Sequence, residues 1–398
     1  MIETKFKDTE VGRIPESWEA KHIKDICDVK RGVRVTRQIL NPTDIYPVYQ
    51  NTDYPMGFYS KYNVEANIPF VIVGGSAGLI GRSPVRYWAA DDCAYFTNLN
   101  GISKDFLYYE LLFRHLDIKK EVRTASIPRL DRSAIEKLVL GLPPISEQTR
   151  IATALSNIDA LISELGKLIE KKRTIKQGTM QQLLTSKKRL KGFSEPWVET
   201  TLGEHILFLR TGLNPRVHFK LNTPDSDCFY ITVRELQGFD IITSEQTDKI
   251  NHSAVKRIDE RSRLKIGDVL FSGTGTIGQT ALVKEEPNNW GIKEGIYAIT
   301  PNCKTLDSSF LIYYLHTTSA ISLFSSMASG STVNSIPMAK LLELPIQLPS
   351  LSEQTSIASV LSSMDEEISS LEAKREKYAS IKQGMMQQLL TGKIRLID

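Results

Sequence analysis

The chain has 398 residues, 41% hydrophobic and 24% charged, with a formal net charge of +4. That length suits two or three ordinary domains, and the composition argues against a disordered, collagen-like or membrane-embedded chain. A surplus of four positive charges is too small to identify a nucleic-acid binder, so any DNA surface must come from local placement.

The opening run MIETKFKDTE carries no apolar export segment, and Cys27, Cys93, Cys228 and Cys303 stand singly. A reducing cytoplasm is the expected location. The longest stretch without Asp, Glu, Lys or Arg, residues 308–339, holds nine serines, His316 and Gly330, and is not expected to span a membrane.

In chain order, the first unit, residues 1–145, alternates short β-rich runs such as YPVYQN (46–51) and PFVIV (69–73) with Gly, Asn, Asp and Pro turns, then a helix near 105–117. The cluster KRGVRVTR brings Lys30, Arg31, Arg34 and Arg37, followed by Tyr49, Asn51 and Tyr54 and by Ser76 in the turn GGSAGLIG. Guanidinium forks suit phosphates and guanine edges, and Asn suits adenine.

Residues 146–190 follow as one long helix. Ile151, Leu155, Ile158, Ile162, Leu165 and Ile169 step by 4, 3, 4, 3, 4, the seam of a heptad pattern. Ser146 is the candidate N-cap, and Glu147 in the first turn suits the helix dipole. At about 40 residues the helix would be roughly 60 Å long.

The second unit, residues 191–351, repeats the order loosely. Trp197 answers Trp18 at an offset of 179, FSGTGTIG (271–278) answers GGSAGLIG (74–81) at 197, and FLIYYLH (310–316) answers FLYYELL (106–112) at 204. LRTGLNPR supplies Arg210, Asn214 and Arg216; FYITVREL (229–236) supplies Tyr230 and Arg234; and the glycine turn supplies Thr274, before a helix near 307–320. The match of GTGTIG to GxGxxG is a weak lead, because QTALVKEE after it reads as a strand rather than a helix. A tight hairpin presenting backbone amides to a phosphate suits both copies better, with an ordinary β-turn that touches nothing as the competing reading.

Residues 352–398 close the pattern with a second long helix. From residue 352 onward the segment repeats residues 146–190 at a constant offset of 206, with 27 of 45 positions identical. Its seam is Ile357, Leu361, Met364, Ile368 and Leu371. Gly392 is the expected stop, with Ser186 in its place in the first copy. Neither narrow seam can be hidden alone, so a two-stranded coiled coil within one chain is expected. A plain hairpin brace or dimerisation zipper competes with that reading, but the retained KQG and MQQLLT blocks are polar positions a seam does not need. They suggest a partner helix, with Gly178 or Gly384 permitting close approach.

No phosphate loop, HExxH helix, GxSxG elbow, CxxC pair or Asn/Asp-Pro-Pro-aromatic tetrapeptide occurs. His22, His115, His205, His218, His252 and His316 are scattered without ligand spacing, so neither a catalytic residue nor a metal site is expected.

Two variable domains, each ending in a heptad helix with PPISEQ and KQGTMQQLLT or their copies, resemble the DNA specificity subunit (HsdS) of type I restriction-modification systems. The likeness covers the whole chain; the SIP and NSIP stretches at 126–128 and 334–337 carry it more weakly. It implies an α/β (α+β) fold of two target recognition domains with twisted, mainly antiparallel sheets, joined by two long antiparallel coiled-coil helices in a pseudo-twofold repeat. It also implies a non-catalytic chain reading a bipartite double-stranded DNA target and docking two methyltransferase subunits (HsdM), with restriction subunits (HsdR) joining. S-adenosylmethionine would belong to the methyltransferase, and ATP and magnesium to the restriction subunit. Four residues added to each helix, about 6 Å, should lengthen the unread spacer by one or two base pairs of about 3.4 Å. The competing classes are a self-contained modification or nicking enzyme with a fused recognition module, and a coiled-coil structural protein.

Overall fold

The computed structural model describes residues 5–124, 126–329 and 334–397. The opening residues 1–4, and Gly330 of the uncharged stretch, lie outside them. Among the described residues, no helix is long and apolar enough to cross a membrane.

Two compact units emerge, and their boundaries do not follow the halves of the sequence repeat. Unit 1 comprises residues 1–167 and 372–398, and unit 2 residues 168–371. The boundaries cut both long helices, Ile145–Leu183 and Leu351–Leu389. Each unit therefore holds one of the two variable domains, or readers (residues 1–145 and 191–351), the start of one long helix and the end of the other.

Unit 1 is built on an antiparallel four-stranded sheet in the order Asp28–Arg31, Cys93–Thr97, Pro69–Ile72, Ile80–Arg82. The run Pro69–Ile72 is buried throughout, as its unbroken apolar sequence requires of a strand covered on both faces. A second sheet orders Gly57–Tyr59, Tyr46–Tyr49 and Trp88–Ala89, with the last pair parallel. Glu19–His22 pairs with Val139–Leu142, bringing the start of the reader back to its end.

Unit 2 repeats this plan. Its four strands run Ile206–Thr211, Ile296–Pro301, Val269–Ser272, Thr280–Leu282, all antiparallel. Its second sheet orders Lys249–Ile250, Cys228–Ile231 and Trp290–Ile292, again with one parallel pair, and Val198–Thr201 pairs with Pro345–Leu348. Thr280–Leu282 is the strand expected after GTGTIG, so the dinucleotide turn is excluded by structure. The hairpin Phe6–Thr9 with Gly12–Pro15 occurs in unit 1, whereas helix His252–Ser262 is inserted in unit 2.

The seam is buried where the helices meet the readers. In unit 1, Ile151, Ala152 and Leu155 share one core with Trp18, Phe106 and Tyr109 and with Leu389 and Leu390 of the other helix. In unit 2, Ile357, Ala358 and Leu361 share a core with Phe310 and with Met180, Leu183 and Leu184. The start of each helix thus lies against the end of the other, which is an antiparallel arrangement. Ile158, Ile169 and Ile368 are buried, and Ile162, Leu165, Met364 and Leu371 half-buried. The heptad reading stopped too early, because the Leu pair of MQQLL continues the packing.

Both copies of the SEQ motif are structural. Glu147, 2% exposed, receives both Nε and Nη2 of Arg395 at 2.7 Å and the Trp18 indole N–H at 3.1 Å. Glu353, 1% exposed, receives Nε and Nη2 of Arg189, each at 2.6 Å. Each glutamate of one copy is thus clamped by the arginine that ends the other. Bidentate pairs of this kind are strong and geometrically specific. Gln148 accepts from the Ser103 amide and donates to the Gly101 and Pro143 carbonyls. Gln354 repeats this with Asp307, Thr305 and Pro349. The helices begin at Ile145 and Leu351, so Ser146 and Ser352 lie inside the first turn rather than at the cap.

The lysine of KQG is also internal, which corrects its assignment to a partner surface. Lys382 pairs with Asp159 at 2.6 Å, and Asp159 accepts the Tyr109 hydroxyl at 2.9 Å. In unit 2, Lys176 pairs with Asp365, which accepts the Tyr313 hydroxyl at 2.7 Å. Burial, with the adjacent aspartate second, raises both phenol pKa values above the ordinary range. Gln177, Gly178, Gln383 and Gly384 remain exposed. Both helices end as expected, with Ser186 and Gly392 in the left-handed region at φ 57° and 68°.

Candidate nucleic-acid interface

The glycine-rich segment is a tight hairpin in each unit, and its backbone fixes the true correspondence between copies. Gly78 N–H donates to the Ile72 carbonyl and Ile72 N–H to that of Leu79; Gly278, Ser272 and Gln279 do the same, all at 2.8–2.9 Å. The offset is therefore 200, not 197. Gly75 and Gly275, at φ 78° and 77°, are equivalent, as are Gly78 and Gly278 at 89°. These left-handed positions are what glycine supplies at low steric cost. Ser76 corresponds to Thr276 and Thr274 to Gly74, so the sequence pairing of the turns is corrected by three residues.

Each hairpin is braced by a second segment through main-chain bonds. Gly75 N–H donates to the Pro128 carbonyl at 3.1 Å and Leu130 N–H to that of Val73 at 2.9 Å. In unit 2, Gly275 N–H donates to the Asn334 carbonyl at 2.9 Å and Ile336 N–H to that of Gly273 at 2.8 Å. Pro128 thus holds in unit 1 the place that Asn334 holds in unit 2. The two Ser-Ile-Pro runs, similar in letters, are offset by three residues in space.

In unit 1, Lys30, Arg31, Arg34, Arg37, Asn51, Tyr54 and Ser76 are exposed, Tyr54 at 66%. Lys30 and Arg31 close the strand Asp28–Arg31 rather than following it. Arg31 Nε donates to the Asp91 carbonyl at 2.6 Å, and its side chain lines a cleft of about 410 Å³ with Arg129, Arg132 and Ser133. Asn51 abuts the hairpin, where a β-carbon on Gly75 would come within 3.1 Å of Asn51 Cβ. Lys119 flanks the same turn at Gly78. Sequence reasoning missed Arg129, Arg132 and Lys119; the signal available for Arg129 was its place directly after the SIP run.

In unit 2, Arg216 and Thr274 are exposed. Asn214 caps the short helix Pro215–His218 by accepting the Arg216 amide at 3.0 Å, and donates to Glu294 at 3.0 Å. Gly295, next along, lies against Thr274, so Asn214 and the hairpin share one neighbourhood. Arg234 is exposed and pairs with Asp248 at 2.7 Å.

Three residues assigned to DNA are structural instead. Tyr49, 6% exposed, packs against Phe70 and Tyr87 at ring distances of 4.8 and 5.5 Å. Tyr230, its counterpart beside the parallel strand pair, is 1% exposed and donates its hydroxyl to the Leu213 carbonyl at 2.7 Å. Arg210 is held by buried Asp268 at 2.8 Å and by the Arg263 carbonyl. The strands carrying Tyr49 and Tyr230 are buried on both faces, and residue type alone does not say whether a tyrosine or arginine serves the core or the surface. Away from the sequence spacing considered for the histidines, Asp227, Cys228 and His252 lie together in unit 2, with one potential ligand atom from each within 4.8 Å of the others.

Residues 15–177 and 218–382 each match the type I restriction modification DNA specificity domain. The type I restriction enzyme MjaVIII specificity subunit of Methanocaldococcus jannaschii is 25% identical, over 99% of this chain and 97% of that protein. The putative MjaX specificity subunit of the same organism is 26% identical over the same shares. The crystal structure of a type I restriction-modification S subunit from M. genitalium has a similar fold, with a TM-score of 0.66, 17% identity and coverage of 97% and 98% of the two chains. A structure described as the basis of complex assembly and conformational transition of the type I R-M system has a TM-score of 0.55 at 16% identity, covering 96% of this chain and 99% of that one. With two matched domains, two readers of one topology and two long helices, this chain belongs to the type I restriction-modification DNA specificity family.

Proposed function

We propose that this chain reads a bipartite, asymmetric double-stranded DNA target, one half-site per reader, and delivers it to methyltransferase subunits. The observation that carries the reading is the repeated hairpin frame. One backbone arrangement appears in both units with different side chains around it, as two readers of different half-sites require.

In reader 1 the contact set is Lys30, Arg31, Arg34, Arg37, Asn51, Tyr54 and Ser76, joined by Arg129. In reader 2 it is Asn214, Arg216, Arg234 and Thr274, joined by Thr276. The exposed Gln177, Gly178, Gln383 and Gly384 are surface for two methyltransferase subunits, through which restriction subunits join. This chain's part is recognition. S-adenosylmethionine would be held by the methyltransferase, which also flips the target base, and ATP with magnesium by the restriction subunit.

The test exchanges residues 1–145 for the first reader of another family member and sequences the host methylome. One half-site changes and the other stays. Loss of both half-sites, or no change in either, overturns the reading. Binding by the complex with its methyltransferase should also weaken steeply with salt.

A further inference from the structure

Cys228 begins the strand Cys228–Ile231 and pairs across the ladder with Ile250. Two residues beyond Ile250, His252 opens the helix His252–Ser262, capped by Asn251 accepting the Ala254 amide. This short connection lays the start of the helix over the start of the strand. Cys228 Sγ lies 3.4 Å from His252 Nδ1 and 3.3 Å from Asp227 Oδ1, and His252 Nε2 lies 3.3 Å from Asp227 Oδ2. One ligand atom from each residue falls within 4.8 Å of the others.

The other two buried thiols sit differently. Cys27 faces the Ile23 carbonyl at 3.5 Å, and Cys93 the carbonyls of Tyr49 and Gln50 at 3.3 and 3.2 Å. Both are hydrogen-bonded as ordinary core cysteines. Cys228 instead meets an imidazole and a carboxylate whose side chains are both exposed, so a cation has a path from solvent. Asn251 ties this corner to Asp225 at 2.8 Å.

Sulfur, imidazole nitrogen and carboxylate oxygen form the donor set of a borderline-soft divalent cation; calcium and magnesium prefer oxygen alone. Zinc bonds of about 2.0–2.3 Å in a tetrahedron set neighbouring donors roughly 3.3–3.7 Å apart, close to the 3.4 Å from Cys228 Sγ to His252 Nδ1 and the 3.3 Å from Cys228 Sγ to Asp227 Oδ1. We propose that Asp227, Cys228 and His252 bind one Zn²⁺ ion, with water as fourth ligand, clipping the inserted helix to the second sheet of reader 2.

The experiment strips the full-length chain with a chelator and titrates it with Co²⁺, then Zn²⁺. One equivalent of Co²⁺ should give tetrahedral d–d bands with thiolate charge transfer, displaced by Zn²⁺, and Zn²⁺ should raise the melting temperature. Cys228→Ser abolishes the charge-transfer band, while Cys303→Ser keeps it. His252→Ala and Asp227→Asn, at exposed side chains that leave the core intact, each weaken binding at least tenfold. Absence of a charge-transfer band, its survival in Cys228→Ser, full affinity in His252→Ala or an unmoved melting temperature overturns the site.

Discussion

The first reader flanks its glycine hairpin with Lys119 near Gly78 and Arg129 on the bracing segment. The second sets Phe324 near Gly278 and Ser335 in the place of Arg129. The turns beneath are the same, because they are held by main-chain bonds and two left-handed glycines, which are indifferent to side-chain identity. Where the two units share a task, the opposite holds. The Glu–Arg clamps, the Asp–Lys–Tyr sets and the bridging glutamines keep their residue types, because charge and fork geometry cannot be replaced without loss. Divergence is tolerated where backbone carries the frame, and identity persists where side chains carry it.

The clamps offer the strongest way to break this comparison. Glu147→Ala and Glu353→Ala each leave a guanidinium facing a closed site, and breaking a buried pair costs about 3–5 kcal/mol. The first should cost more, since Trp18 also loses its acceptor. Denaturant unfolding of the full chain, with double-mutant cycles against Arg395 and Arg189, measures both. Losses below about 1 kcal/mol would assign the clamps to the weak surface class.

Next come the hairpin glycines. Gly75→Ala should destabilise unit 1 by about 1–3 kcal/mol, with Asn51 crowded as well. Gly275→Ala, whose β-carbon meets nothing within 4 Å, should cost only the left-handed penalty of about 1 kcal/mol. Equal effects in thermal unfolding would remove Asn51 from the hairpin's surroundings.

A third difference lies at one helix position. Tyr314 of unit 2 donates its hydroxyl to the Pro345 carbonyl at 3.0 Å, whereas buried Glu110 in unit 1 has no hydrogen-bond partner on either carboxylate oxygen. Burial pushes the Glu110 pKa up to about 8, opposed by Arg114 with its Nε 3.9 Å away. The folded state then holds a proton that the unfolded chain has released from about pH 4.5 upward, so unit 1 loses stability as pH rises towards 8. Glu110→Gln should abolish that loss, read as a melting temperature higher than the parent's at pH 8 and little changed at pH 5. At roughly 2–4 °C per kcal/mol, calorimetry resolves it.

The smallest effects belong to the exposed cations. Arg34→Ala in reader 1 and Arg216→Ala in reader 2 should each reduce the salt slope of DNA binding by about 0.9, with stability unchanged within about 0.5 kcal/mol. A changed melting temperature with an unchanged slope would move either arginine from the interface to the scaffold.

The repeat, both seams and the left-handed stops at Ser186 and Gly392 were legible, because a 3.6-residue period and a stop residue are local properties of the chain. The hairpin register was not. GGSAGLIG and FSGTGTIG align best by letters at 197, while main-chain bonds set 200. The same blindness put Tyr49, Tyr230 and Arg210 on the surface, since aromatic and guanidinium groups serve cores and interfaces alike. Cys228 and His252 escaped notice because ladder pairing, not sequence spacing, brings them together.

The reciprocal clamps also set an order of events during synthesis. Everything in unit 2, residues 168–371, emerges from the ribosome as one stretch. Unit 1 cannot close until Arg395 reaches Glu147, 248 residues later, a wait of about 12–50 s at the usual 5–20 residues per second. The reader made first is therefore the one finished last, since its core also takes in Leu389 and Leu390 from the end of the chain.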